Sequence, residues 1–290
     1  MKKIISKKWF STLLWVVLLI VLWEVGATIV ANTKRTPENI LPHLHQILAA
    51  AFSTKKVSQG TTAMGIVLTS AKITILRAVI GFVIGTVAGF ALALLMKLSG
   101  IVEKILFPYL MLIQMIPILG MAPIILSITG DINTSRIVIA AILTFYPVAT
   151  NTLAGFHSVS KEKYELMESY AANKRTLYKK VLIPTCIPYF FTGLKISAPM
   201  AITASILVDT LQGDGGLGCM LSQSLKHAMS IYVFWLIVFF SAFIGIISCK
   251  LMGWIEKLVL PHAKGNKKRV RNILAHTKKI KASEKRGNVA

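Results

Sequence analysis

With 290 residues, 54% of them hydrophobic, and a mean hydropathy of +0.67, the chain has too little polar surface to solvate a water-soluble globule of its size. The formal charge of +22 does not point to nucleic acid, because the basic residues gather in the connections between apolar runs, where they report orientation in a membrane. Composition therefore indicates a polytopic membrane protein and excludes a soluble enzyme or nucleic-acid-binding module.

Six apolar runs, at 9–31, 72–96, 105–127, 137–156, 188–211 and 231–253, approach the ~20 residues that a helix needs to cross a bilayer. The expected fold is an all-α bundle of six transmembrane helices. With the N-terminus inside, the inner connections and termini carry 23 basic residues and the outer ones 6, Arg136 counted among the latter. The positive-inside rule then predicts both termini in the cytoplasm of a multi-pass protein of the cell membrane. Lys2, Lys3, Lys7 and Lys8 precede the first run, but that run is too long for a signal-peptide core and ends without a good cleavage site, so an uncleaved first span is expected. The chain divides into a stub and first span at 1–31, an outer segment at 32–71, a five-span core at 72–260 and a basic cytoplasmic tail at 261–290.

The outer segment has turn residues at Pro37 and Pro42 and a helical pattern from His43 to Phe52. Leu44, Ile47, Leu48, Ala51 and Phe52 share a face there, suited to lying along the outer membrane surface. His43 and His45 would diverge by about 200° on a helix, which speaks against a shared metal. In the second run, Gly81, Gly85 and Gly89 repeat every four residues, a small-residue seam against which another helix can pack closely. Arg77 stands one turn earlier and can either snorkel to the headgroups or face a polar interior.

Pro117 and Pro123 fall inside the third run and Pro147 inside the fourth. Each removes a backbone hydrogen bond and kinks its helix, and kinked helices line cavities where freed carbonyls find partners. Gln114, Asn151 and Thr152 at similar depth, with Lys195, Ser197, Pro199, Thr203, Ser205 and Asp209 in the fifth run, suit either a solute pathway or polar packing. Glu24 and Asp209 are the only acids within the runs. Cys186, Cys219 and Cys249 are too dispersed for a disulfide or a metal cluster, and no metal or cofactor site is expected.

Between the fourth and fifth runs lies a polar, lysine-rich loop, 160–184. Ser160 is a suitable N-cap, Glu162 suits the first turn, and Tyr164, Leu166, Met167 and Tyr170 form an apolar side. A second basic turn runs from Lys174 to Leu182 and is expected to stop before Pro184, whose ring disfavours a helical Ile183. A helical knob leading into a proline pivot reads as a docking element.

These residues resemble the EAA loop of the permease subunits of binding-protein-dependent ATP-binding-cassette importers, specifically the nitrate/sulfonate/taurine branch with its methionine-permease-like fold. Glu165 holds the motif's glutamate, Ala171 stands at its usual glycine, and Val181-Leu182-Ile183-Pro184 matches its ending, while Leu166 and Met167 replace its two small residues. The resemblance continues in order through Leu22-Trp23-Glu24, Ile40-Leu41-Pro42, Arg77 with Gly81-Phe82, Ile116-Pro117 with Ala122-Pro123, Phe145-Tyr146-Pro147, Ile187-Pro188-Tyr189 and Gly216-Leu217-Gly218.

The resemblance implies a non-catalytic subunit that forms a translocation pathway, pairs as a homodimer within membrane lipid, and receives a small polar or anionic solute from an extracytoplasmic binding protein. It further implies that Tyr164, Glu165, Glu168, Ala171, Ala172 and Pro184 engage cytoplasmic ATPase subunits. The sequence agrees that the ATPase is a separate chain: it contains no phosphate loop of the form GxxxxGK[ST], and the one glycine-rich cluster, Gly213–Gly218, suits a tight turn. The alternative from the residues alone is a secondary transporter or channel without an ATPase partner.

Overall fold

The structure, a computed structural model, describes residues 2–33, 40–58, 60–118, 120–212, 215–226 and 231–260. The basic tail and Pro37 lie outside the described residues. Eleven helices are seen among them: α1 (Lys2–Thr33), α2 (Leu44–Phe52), α3 (Ala63–Leu98), α4 (Gly100–Met115), α5 (Ala122–Thr129), α6 (Ile132–His157), α7 (Lys161–Ser169), α8 (Lys174–Leu177), α9 (Ile183–Gln212), α10 (Leu217–Lys226) and α11 (Ile231–Val259). A two-stranded antiparallel hairpin, β1 (Lys56–Ser58) and β2 (Thr61–Thr62), precedes α3.

Five helices are long and apolar enough to span a bilayer, beginning at Phe10, Ala63, Ile132, Lys174 and Ile231. The expected third span differs. Its apolar run is split into α4 and α5, joined by a turn in which Gly120 N–H donates to the Pro117 carbonyl at 2.8 Å. Pro117 lies in this break and Pro123 in the first turn of α5, so neither kinks a continuous helix. The reason is local: a proline is tolerated in the first turn, where its missing N–H is not needed, and two prolines six residues apart favour a fresh start over a kink.

The second span also begins nine residues earlier than its apolar run, at Ala63, where the Thr62 hydroxyl accepts from Gly65 N–H at 3.2 Å and caps the helix. This added length packs against α2. Ile47 and Ala51 of α2 are buried with Ala63, Val67 and Ala71 of α3 and Val233 and Ile237 of α11, while Leu48 and Phe52 remain exposed. The apolar face expected on the membrane surface is thus partly consumed by the bundle. His43 is not on the helix but caps it in extended conformation (φ −66°, ψ 147°), which lets its ring stack on that of His45 at 5.5 Å. The divergence expected for two helical positions does not apply.

Helix α6 is the centre of the bundle, gripped from two sides. On one side a Cβ at Gly81, Gly85 or Gly89 of α3 would come within 2.5–2.6 Å of Ala140 Cβ, the Ala141 carbonyl or the Phe145 carbonyl. On the other, Gly155 lies against the Cys186 and Tyr189 backbone region of α9, and Gly193 of α9 against the Pro147 carbonyl, with added-Cβ distances of 2.8 and 2.9 Å. In lipid, where apolar side chains gain nothing by leaving water, such close backbone approach is what holds helices together.

Candidate functional site

At one end of the bundle, α7 and α8 form the polar loop. The Ser160 hydroxyl beside Glu162 holds that carboxyl below the usual carboxylate range at the first turn of α7. The other end of α7 closes with Ala172 N–H donating to the Met167 carbonyl at 3.0 Å and Ala171 N–H to the Glu168 carbonyl at 2.8 Å, a Schellman cap. That cap requires a left-handed residue, and Ala171 adopts φ +47°, the one non-glycine positive φ among the described residues. The left-handed backbone gives a physical reason for a glycine at this place, distinct from side-chain size.

The loop is seated rather than free. Tyr178 Oη donates to the Lys97 carbonyl at 3.2 Å, the Lys97 ammonium lies over the Tyr164 ring, and Tyr164, Leu177, Tyr178 and Val181 pack on a core of Met96, Phe156 and Leu182. Its opposite surface presents Glu165, Leu166, Glu168, Tyr170 and Ala171, with Tyr170 76% and Leu166 54% exposed. Glu165 pairs only loosely with Lys161 across one turn, at 3.5 Å and with both side chains exposed. Ala172 is half-buried and Pro184 exposed.

The expected stop before Pro184 is not seen. Ile183 is helical (φ −62°, ψ −50°), and residues Tyr178–Leu182 form one wide π turn in which Ile183 N–H donates to the Tyr178 carbonyl. A π turn shifts the bonding register by one residue, which accommodates the missing donor of Pro184 without breaking the helix. The loop therefore joins the fifth span without interruption, as one apolar helical path from Lys174 to Leu211.

The polar residues expected within the spans fall into two groups. Pro147, Asn151, Ser197 and Asp209 lie within the protomer: Ser197 Oγ hydrogen-bonds the Thr144 and Gly193 carbonyls at 3.1 and 2.9 Å, and Asn151 Nδ2 donates to the Pro147 carbonyl at 2.8 Å. The Ser197–Thr144 bond ties α9 to α6, while the Asn151 bond is made within α6 at the proline that interrupts its ladder and the Gly193 bond within α9. Gln114, Pro117, Pro123 and Thr203 are exposed on the protomer surface instead.

Asp209 is fully buried at the opposite end from the loop. It accepts from Thr74 Oγ1 at 2.8 Å and pairs with Arg136 at 2.9 Å and Arg77 at 3.4 Å, joining α3, α6 and α9. Arg77 thus faces a polar interior, and Arg136 is a buried ion partner rather than an outer-surface charge. Its position just ahead of an apolar run made it look like a loop residue; its complement, a lone acid near the same depth of another run, was the available clue. The following turn fits around Asp209: Gly216 (φ +95°) would place a Cβ only 2.1 Å from the Asp209 carboxylate, and Leu217 N–H donates to Thr74 Oγ1 at 2.9 Å. The described part of the glycine-rich cluster, from Gly215 onward, is a turn packed on an ion network, and Gly213 lies outside the described residues.

Residues 81–264 match the family of binding-protein-dependent transport system inner membrane components. The chain belongs to this family. Among curated relatives it is 27% identical over 251 residues to the formylaminopyrimidine transport permease ThiX of Halalkalibacterium halodurans, covering 87% of this chain and 95% of that one. It is 26% identical to the nitrate import permease NrtB of Synechococcus elongatus, over 65% and 68% of the two chains. It is 23% identical to the aliphatic sulfonates permease SsuC of Bacillus subtilis, over 85% and 88%. An amino acid ABC transporter solved with histidines superposes with a TM-score of 0.59 at 20% identity, over 71% of this chain and 99% of that one. The inward-facing methionine transporter MetNI gives 0.59 at 15% identity, over 68% and 97%. The chain is therefore an inner membrane permease component of a binding-protein-dependent ABC importer for small solutes, and the solved structures share its fold.

Proposed function

We propose that two copies of this permease enclose one translocation path, that the α7–α8 loop of each docks a cytoplasmic ATPase subunit, and that an extracytoplasmic binding protein delivers a small polar or anionic solute to the other end. The docking assignment rests chiefly on one observation: an exposed patch of Glu165, Leu166 and Tyr170 sits on a loop whose back is anchored to α3 and α6 and whose C-terminal end runs unbroken into α9. Two exposed large apolar side chains around a carboxylate suit a protein cleft better than lipid, which would have to desolvate the charge.

Such a loop moves as a lever. Closure of the ATPases displaces α7–α8, and the continuous helix carries that motion to the α6–α9 contact, where a bundle with two packings a few kcal/mol apart exposes its path to one side or the other. This subunit carries out no bond chemistry. With the loop on the ATPase side, and with α4 beside Met96 and Phe156 and α5 beside Ile139 and Val208 crossing together as one span, both termini are cytoplasmic, in keeping with the basic bias of the inner connections. The solute class follows from relatives named for formylaminopyrimidine, nitrate and aliphatic sulfonates.

Glu165→Lys tests the docking. Reversing this charge is expected to lower retention of the ATPase subunit in detergent by about tenfold, equivalent to ~1.4 kcal/mol, and to abolish solute uptake while membrane insertion is unchanged. Normal retention and uptake in that variant would remove the assignment.

A further inference from the structure

Beyond the transport path, one cluster at the end opposite the α7–α8 loop has the composition of a metal centre. Glu24 of α1, His43 at the cap of α2 and His45 in its first turn bring ligand atoms all within 4.8 Å of one another. Glu24 Oε2 pairs with His43 Nδ1 at 2.6 Å, and the His45 ring stacks on His43 with an interplanar angle of 27°. We infer that this triad binds a divalent transition-metal ion of the zinc class, tying the first span to the outer helix.

The donor set selects the metal. Two imidazoles and one carboxylate suit Zn²⁺ and its cobalt and nickel neighbours, whereas Ca²⁺ and Mg²⁺ want an all-oxygen shell. Metal–ligand bonds of ~2.0–2.2 Å place tetrahedral ligands about 3.3 Å apart, so the carboxylate and His43 separate slightly and the exposed His45 ring swings inward. The support for the ligands already exists: Leu44 N–H donates to Glu24 Oε1 at 3.0 Å, holding that oxygen while Oε2 stays on the His43 side, and His43 N–H donates to Gln46 Oε1 at 3.0 Å, fixing the cap. Next to it, Trp23 Nε1 donates to the Pro42 carbonyl at 3.2 Å and its ring meets Trp235 edge-on at 4.7 Å, so the crossing of the two segments is braced before any ion arrives. Three protein ligands leave a fourth position open to water or to a donor from outside.

The anchor matters because α1 is otherwise loosely held, with only 6% of its most apolar window buried. An ion at this crossing would couple the first span to α2, and through Ile47 and Ala51 to the starts of α3 and α11.

The test uses the full-length protein in detergent, without a histidine tag, stripped with a chelator and titrated with Co²⁺. Expected is a saturable visible d–d spectrum at one ion per chain, displaced by Zn²⁺, and a rise in Tm on adding Zn²⁺. His45→Ala should lose both responses while keeping the metal-free Tm, because the exposed His45 is not part of the Glu24–His43–Leu44 tie. Glu24→Gln is a second probe, expected to weaken Co²⁺ binding at least tenfold. Absence of a saturable spectrum, or equal binding by wild type and His45→Ala, would show that the cluster is a hydrogen-bonded helix anchor and overturn the proposal.

Discussion

Small residues occur both in the α3–α6–α9 stack and in the α7–α8 loop, and they are there for different reasons. In the stack, Gly81, Gly85, Gly89, Gly155 and Gly193 lie where an added Cβ would strike backbone or Cβ atoms of the facing helix. In the loop, Ala171 is exposed and its demand is on the backbone, which must turn left-handed to close the cap. One region needs the absence of a side chain in space; the other needs a φ that side chains resist. The stack belongs to stability, and the loop to the docking proposed for it.

The comparison breaks most forcefully at Asp209. Asp209→Ala removes the carboxylate with which both Arg77 and Arg136 pair in the interior and is expected to destabilise by about 3–5 kcal/mol, the usual consequence of breaking a buried ion pair by deleting one partner. Detergent thermal unfolding should show a large fall in Tm, and one unchanged from wild type would mean the network does not hold α3, α6 and α9 together.

Gly85→Val comes next. Its first added atom would meet the Ala141 carbonyl at 2.5 Å, so the helices must part, for a loss of about 1–3 kcal/mol or more. Gly100→Ala, where an added Cβ meets nothing within 4 Å, is the matched control and should leave Tm close to wild type. Equal responses to the two substitutions would deny the stack its packing role.

The smallest effect is in the loop. Ala171→Gly should stabilise the cap by about 1 kcal/mol, seen as slower hydrogen exchange at the amides of Ala171 and Ala172, with ATPase retention intact. Faster exchange would mean that the left-handed turn is not limiting.

Much of this was legible from residue order. The membrane class came from composition, the family from collinear motifs, and the glycine spacing from a helical period that places residues four apart on one face. The Ser160 start of α7 and the Gly215–Gly216 turn are local features, and local rules sufficed for them. The misjudged places are those where local rules compete. Pro117 and Pro123 lie in one apolar run, and hydropathy alone draws a span through them; the backbone instead restarts at Ala122. Pro184 looked like a stop because the π turn that accommodates it is a change of hydrogen-bond register with no sequence signature.

The sequence by itself determined that this chain lives in a membrane, that five of its six apolar runs form spans and which transporter family it belongs to, because hydropathy, period and motif order are properties of neighbouring residues. Only the tertiary structure decided partnerships between distant residues. Asp209 meets Thr74 and Arg136 across three helices, Gly85 meets Ala141, and Glu24 meets His43 and His45 from another segment. The physical reason is that a buried charge or an open ligand set is satisfied by whatever the packing brings within a few ångströms, and that proximity is set by how whole helices cross.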